Sequence, residues 1–166
     1  MASFSESMQD YKQQLERGLI QQAYRGLMGY MQGLKTFFRN RYPHAFVSGN
    51  LYQGVMDMTY FSFVPAALKS RDLKIAIVFV YEAFRFEAWL SGCNRPVQAR
   101  YWEIIRESTW DQYPLVPDPL KADAILTHVL VADPDFGNPD ALTARIEQGT
   151  LAFSHDIETF LSTIQD

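Results

Sequence analysis

Alternating apolar and polar positions predict an antiparallel sheet in the middle of the chain. Leu73–Tyr81 and Phe84–Leu90 both have the strand period of two and are separated by a short turn. A third predicted strand, Gly54–Val64, is rich in β-branched and aromatic residues. Together these three segments predict an antiparallel meander, and Ala45–Tyr52 is a candidate fourth strand.

Apolar residues at helical spacing predict helices on both sides of the meander. The first helix is expected to start near Ser7 and to end before Tyr42-Pro43, because proline disfavours the α conformation in the residue before it. A sheet with helices before and after it in the chain is typical of the α+β class. The sequence therefore predicts an α+β fold, with a three- to four-stranded meander flanked by N-terminal and C-terminal helices.

Three polar residues, each followed closely by proline, mark the starts of the later helices. Asparagine and aspartate are favoured N-caps, and the first helical turn tolerates proline. The last of these helices is expected to be interrupted near Gly149. The predicted caps are Asn94, Asp118 and Asn138, for helices that extend to Ile105, Leu130 and Ile164.

The predicted strand pairing gathers a group of polar and aromatic side chains on one face of the sheet. Aligning each hairpin about its turn gives three cross-strand rows, and side chains in one row share a face. A register shift of one residue would move a whole strand to the opposite face and dissolve the group. The rows are Asp57–Val80–Arg85, Thr59–Val78–Glu87 and Phe61–Ala76–Trp89.

Composition narrows the protein class. The 166 residues predict a single domain spanning residues 1–166, with a core of about residues 7–164. A net charge of −4 gives no electrostatic footprint for nucleic acid, so we expect no nucleic-acid partner. No apolar run approaches the roughly 20 residues of a membrane span. The single cysteine, Cys93, excludes an intrachain disulfide and suits a reducing cytoplasm.

Two segments carry a family signature, an SGxxYxGxMDMTYF pattern at Ser48–Phe61 and an FExWLSG strand at Phe86–Gly92. On these residues the chain resembles an uncharacterised bacterial domain-of-unknown-function family of small single-domain proteins. The resemblance runs from about Tyr11 to Leu161 and includes the Asp133–Phe136 segment. It implies the predicted arrangement of sheet and helices, and it brings no activity, cofactor or catalytic residue.

Two functional hypotheses follow from the predicted polar face. In the first, a cytoplasmic binding domain uses Asp57, Arg85 and Glu87 as a polar floor between aromatic walls, for a small molecule or a protein partner. The structural alternative is that Arg85 only pairs with the two carboxylates. The candidate ligand-binding residues are Asp57, Arg85, Glu87, Trp89, Phe61 and Thr59.

The second hypothesis is a metal-dependent hydrolase or nuclease-like enzyme. Asp57 followed by Asp72-Leu73-Lys74 resembles the carboxylates and lysine of metal-dependent nucleases. However, the predicted register separates Asp57 from Lys74 by about 20 Å along the strand. The histidines and Cys93 lack metal-site spacing, so no metal ligand is predicted. Enzymatic activity, catalytic residues and cofactors stay unassigned, and the sequence is compatible with a homo-oligomer.

Overall fold

The computed structural model describes residues 1–164, in two compact units: Met1–Leu34 and a larger unit that begins at Lys35. The smaller unit contains α1 (Phe4–Glu16) and the first part of α2 (Leu19–Arg41). The larger unit contains the sheet and the later helices.

Two helices replace the single N-terminal helix that was predicted. α1 begins before the predicted cap because Ser3 forms a capping box: the Glu6 N–H donates to Ser3 Oγ at 3.2 Å, and the Ser3 N–H donates to Glu6 Oε2 at 2.6 Å. The chain then turns at Gly18, whose φ of +76° is a left-handed conformation that commonly ends helices. α2 ends before Tyr42-Pro43, as predicted.

Within residues 1–164, five antiparallel strands form one sheet, and their spatial order is their order in the chain. The α+β class with an antiparallel meander is therefore confirmed, with five strands instead of three or four. The candidate fourth strand is reduced to two residues plus an isolated bridge between Tyr52 and Tyr60. The strands are β1 (Phe46–Val47), β2 (Met58–Val64), β3 (Leu73–Val80), β4 (Arg85–Gly92) and β5 (Leu126–Val131).

The fifth strand lies where the sequence predicted a helix, so that prediction was wrong. Asp118 caps only a local turn, in which the Leu120 N–H donates to Asp118 Oδ1 at 2.9 Å. β5 then pairs with β4, with Leu126 opposite Leu90. Over these six residues, Leu-Thr-His-Val-Leu-Val, the apolar pattern fits the helical period as well as the strand period of two. Pairing with the free edge of β4 favours the strand.

The described part of the larger unit also contains the helices α3 (Ala66–Lys69), α4 (Arg95–Glu107) and α5 (Pro139–Ser162). The predicted caps at Asn94 and Asn138 are confirmed by their side-chain hydrogen bonds to the Val97 and Ala141 N–H groups. α5 is not interrupted at Gly149. A methyl group there would lie 2.7 Å from Cδ2 of Leu130, so this glycine allows β5 to approach the helix closely.

One face of the sheet, the core face, is covered by helices and almost fully buried. Phe38 of α2 packs edge-on against Phe63 and is tilted against Phe61. The same face continues into a cluster with residues of α4 and α5. Residues of β3 and β4 with 0% exposure on this face are Leu73, Ile75, Ile77, Phe79, Phe86, Ala88 and Leu90.

The opposite face, here called the mixed face, combines polar, aromatic and small side chains. Several of them stay half-exposed, including Tyr60 and Trp89. Others are buried beneath their neighbours, such as Val78 at 0% exposure. Strand alternation and the observed pairing place on this face Met58, Tyr60, Ser62, Lys74, Ala76, Val78, Val80, Arg85, Glu87, Trp89, Ser91, Thr127 and Val129.

The β3–β4 register is as predicted, but the β2–β3 register is shifted by one residue. Val80 pairs with Arg85 as expected, whereas the β2 residue opposite Val80 is Met58 and not Asp57. The β2–β3 connection contains α3 and a left-handed residue, Asp72. Counting residues outward from a symmetric turn therefore does not apply to this connection. The shift moves every side chain of β2 to the other face.

Candidate functional site

A bonded group of three side chains lies on the mixed face of β4. Arg85 donates from Nε to Glu87 Oε1 at 2.8 Å, and its Nη2 lies 2.7 Å from the same oxygen. The Trp89 indole donates from Nε1 to Glu87 Oε2 at 2.6 Å. Glu87 is only 7% exposed, and both of its oxygens are engaged. We call Arg85, Glu87 and Trp89 the Glu87 cluster; charge-assisted bonds of this kind fix side-chain orientation.

Thr59 and Phe61, which were predicted to lie beside this cluster, lie on the core face instead. Both are fully buried at 0% exposure. The Thr59 hydroxyl donates to the Gln53 carbonyl at 2.9 Å and lies 2.9 Å from the Tyr81 hydroxyl. The shifted β2 register is the cause, and their place in the predicted rows is thus corrected.

Asp57 is also separate from the cluster, because it precedes β2 in an exposed loop. Its Oδ1 accepts hydrogen bonds from the N–H groups of Val55 at 2.9 Å and Met58 at 2.8 Å. These two backbone bonds lower the pKa of the Asp57 carboxyl below its ordinary value. The Asp57 carboxylate therefore stabilises the backbone of this loop and does not pair with Arg85.

The arrangement of Asp57 and Lys74 does not favour the nuclease-like hypothesis. The Asp57 carbonyl accepts the Tyr81 N–H at 3.0 Å, so Asp57 lies at the far end of β3 from Lys74. A separation of about six strand residues corresponds to roughly 20 Å. The two side chains cannot share one metal-centred site across that distance.

A pocket of about 330 Å³ opens on the mixed face beside Trp89, and we call it the Trp89 pocket. Ala76 lies next to Trp89 across the strand pair. Because alanine is small, it leaves space between the larger side chains around it. The lining residues are Tyr52, Met58, Tyr60, Lys74, Ala76, Trp89, Ser91, Gly92, Cys93, Asn94, Arg95, Gln98 and Asp123.

Of the six residues proposed from the sequence, only Trp89 lines this pocket. Arg85 and Glu87 lie outside the pocket lining. Glu87 is connected to it by accepting the Trp89 indole N–H, and Arg85 pairs with Glu87. Tyr60 and Lys74 were missed because the assumed β2 register placed Tyr60 among the core residues, and Lys74 lay beyond the rows considered. The correct register alone would have found Tyr60. Asp123 and Arg95 belong to segments that follow β4. The alternation of side chains along the strands therefore could not predict their place in the pocket.

Tyr60 is a neutral hydrogen-bonding group in this pocket. Burial raises the pKa of its phenol, and the neighbouring Tyr52 and Asp123 raise it further. The Tyr52 and Tyr60 rings are 5.0 Å apart between centroids. Tyr60 therefore presents an aromatic surface and a protonated hydroxyl at neutral pH.

The Trp89 pocket ends at the start of α4, where several polar groups are already occupied. Arg95 donates to the Ala122 carbonyl at 2.9 Å and to the Pro119 carbonyl at 3.2 Å, and its Nη2 lies 4.0 Å from Asp123. The Ser91 hydroxyl donates to the Asp123 carbonyl at 2.7 Å. These bonds tie the Pro119–Asp123 loop to the start of α4 through Arg95 and to β4 through Ser91.

A second pocket, of about 360 Å³, brings together two histidines that are distant in sequence. His44 and His155 line it with Glu158, whose Oε1 accepts the Ser154 hydroxyl at 3.0 Å. Across residues 1–164, however, no three His, Cys, Asp or Glu side chains are grouped as a metal site requires. Most of the remaining lining is apolar, such as Phe63 and Leu151.

The comparisons with known proteins bear on family and not on activity. Within residues 1–164, none of the helices has the length and apolar character needed to cross a membrane. Comparison with curated proteins and with solved structures gave no significant match. The family described as Domain of unknown function (DUF7000) matches residues 4–161, which is nearly the whole chain. The chain therefore belongs to the DUF7000 family of domains of unknown function.

Proposed function

We propose that this domain binds a small molecule in the Trp89 pocket. The observation that carries the proposal is the bond between the Trp89 indole and Glu87, a buried carboxylate. This bond holds a large aromatic ring at the wall of a concave site, while part of the ring stays accessible. Binding sites commonly combine aromatic walls with a few placed polar groups.

The structural alternative accounts for only part of this arrangement. An ion pair between Arg85 and Glu87 needs a single carboxylate oxygen, and Oε1 supplies it. The second oxygen is directed to Trp89, and the indole lies against the pocket. Preorganised side chains lower the entropic cost of ligand binding. The Glu87 cluster therefore supports a role in positioning Trp89 as well as in stability.

A small molecule is favoured over a protein partner by the size and shape of the site. Its volume of about 330 Å³ lies at the small end of the roughly 300–1,000 Å³ typical of ligand pockets. Protein interfaces usually extend over about 800 Å² on each partner. The exposed lone thiol of Cys93 also supports a cytoplasmic location, where free cysteines stay reduced.

Cys93 supplies a direct test, because it is the only cysteine and lines the pocket. A library of small metabolites should be screened by thermal shift. Each stabilising compound is then tested for protection of Cys93 from iodoacetamide, read by intact-protein mass. The expected result is a compound that both stabilises the fold and slows alkylation, and that loses both effects in Trp89→Ala.

Trp89→Phe is the matched control, since it keeps a smaller aromatic ring in the wall and removes the bond to Glu87. We expect it to bind with intermediate affinity. Stabilising compounds that leave the alkylation rate of Cys93 unchanged, and that bind Trp89→Ala as tightly as the wild type, would place binding elsewhere and overturn the proposal.

A further inference from the structure

Lys74 is the one cation of the Trp89 pocket without a partner in the described chain. Across residues 1–164 it makes no ion pair and no side-chain hydrogen bond, whereas Arg95 is held by two carbonyls and lies 4.0 Å from Asp123. Lys74 is half-buried on the mixed face, opposite Ser91. Its ammonium group is therefore available to a bound anion.

The charge balance of the pocket differs from that of the whole protein. The chain carries a formal net charge of −4, yet the charged residues lining the pocket are two cations, Lys74 and Arg95, and one carboxylate, Asp123. Asp123 is largely exposed and faces Arg95. A local positive excess on an acidic protein favours an anionic ligand at this place in particular.

The apolar part of the pocket is suited to a flat ring. Ala76, at 5% exposure, lies between Ser62 and Trp89 in its cross-strand row. Trp89 and Tyr60 supply aromatic surfaces around it. Aromatic rings pack well in offset or edge-on contact with such surfaces. Lys74 and Ala76 are two residues apart on one strand face, which separates their Cα atoms by about 7 Å.

We propose that the Trp89 pocket binds a small planar ring bearing a carboxylate or a phosphate, with the ring on Ala76 against Trp89 and the anionic group at Lys74. The hydroxyl of Tyr60, which has no hydrogen-bond partner among residues 1–164, donates to a polar atom of the ligand. This inference rests on the proposed function, and it adds the chemical class of the ligand.

The test uses five probes that separate charge from ring. Four carry a 2-naphthyl group: a carboxylate, a phosphate monoester, a neutral hydroxymethyl compound and a trimethylammonium compound. The fifth is inorganic phosphate. Each is titrated against wild type, Lys74→Met and the control Lys69→Met, which removes the same charge from an exposed position of α3 outside the pocket. Affinity is read from the slowed alkylation of Cys93.

The two naphthyl anions should bind at least about tenfold more tightly than the alcohol, the scale of a hydrogen bond to a charged group. Lys74→Met should remove that advantage and leave the alcohol unaffected, while Lys69→Met should change neither. The anion affinity of the wild type should also fall with added salt. Comparing the carboxylate with the phosphate identifies the preferred anionic group. Lys74→Gln serves as the second variant if Lys74→Met does not fold.

Four results would overturn the inference. Equal binding of the alcohol and the anions, insensitive to Lys74→Met, would reject the anionic class while leaving the pocket as a binding site. Inorganic phosphate binding as tightly as the naphthyl phosphate would reject the ring. If no probe protects Cys93 but a screened metabolite does, the ligand class is wrong; if nothing protects it, the proposed function fails as well.

Discussion

The indole of Trp89 donates a hydrogen bond of 2.6 Å to a carboxylate oxygen of Glu87, two residues earlier on the same strand face. The other oxygen of that carboxylate pairs with Arg85. One buried acid thus connects a half-exposed cation to the wall of the Trp89 pocket, and the connection can be measured.

Replacing Glu87 should cost stability and release the indole. Glu87→Ala leaves the Trp89 N–H without its acceptor and removes the partner of Arg85, so we expect a loss of about 1–3 kcal/mol in the free energy of unfolding. Chemical denaturation checks the magnitude. A double-mutant cycle with Trp89→Phe should show coupling, and strictly additive effects would contradict the structural connection.

Truncating Trp89 should weaken ligand binding. Trp89→Ala removes an aromatic wall of the pocket, so we expect the affinity of a pocket ligand to fall by on the order of 1–3 kcal/mol. Calorimetric titration measures the change, with circular dichroism as the folding control. Unchanged affinity in a folded variant would exclude Trp89 from the site.

Replacing Arg85 by lysine distinguishes two roles for this residue: orienting Glu87 and binding the ligand directly. If Arg85 only orients Glu87, Arg85→Lys should preserve most of the ligand affinity, because an ammonium group can still pair with Oε1. If Arg85 itself holds a ligand anion in bidentate geometry, the same change should reduce affinity strongly while stability is retained. The structure favours the first result, since Arg85 does not line the pocket. Titration of the variant decides between them.

Asp57 should stabilise the protein only above acidic pH. Its pKa is lowered in the folded state by the Val55 and Met58 N–H groups, so the ionised form stabilises the fold above the unfolded pKa of about 3.9. That contribution is lost as pH falls through the lower folded-state pKa. Thermal melts of wild type and Asp57→Ala should therefore differ at neutral pH, and the difference should shrink as pH falls from about 4 through the folded-state pKa. A constant difference across this range would contradict the assignment.

Two glycine substitutions should have opposite effects. A methyl group at Gly92 would lie 2.5 Å from the Gln98 backbone nitrogen, so Gly92→Ala must displace the start of α4 and should cost about 1–3 kcal/mol. Gly26 lies within α2 with no atom near its missing methyl group. Gly26→Ala should therefore stabilise the protein by up to about 1 kcal/mol. Denaturation of both variants tests the pair.

The parts of the fold that were predictable are those set by local contacts. The β3–β4 register followed from a tight turn, which fixes the pairing of the residues on either side of it. The caps at Asn94 and Asn138 followed from short-range chemistry. The α+β class followed from the order of periodic segments.

The errors arose where a distant part of the chain decides the outcome. β5 is a strand because the edge of β4 needs a partner, and its own six residues do not distinguish strand from helix. The β2–β3 register depends on the geometry of α3, which hydrophobic periodicity does not encode. A one-residue register shift moves every side chain of a strand to the opposite face of the sheet. For this reason Asp57, Thr59 and Phe61 all lie outside the predicted group. Trp89, Arg85 and Glu87 stayed because they share β4.

The long excursion between β4 and β5 has a consequence for the order of folding. β2, β3 and β4 follow one another through short connections, whereas β5 joins only after α4 and the Pro119–Asp123 loop. Closing a longer loop costs more entropy, so we expect β5 to dock late and the outer edge of β4 to stay unpaired in an early intermediate. Pulse-labelling hydrogen exchange during refolding should then protect the amides of Leu73–Val80 before those of Leu126–Val131. Simultaneous protection would show instead that the whole sheet forms in one step.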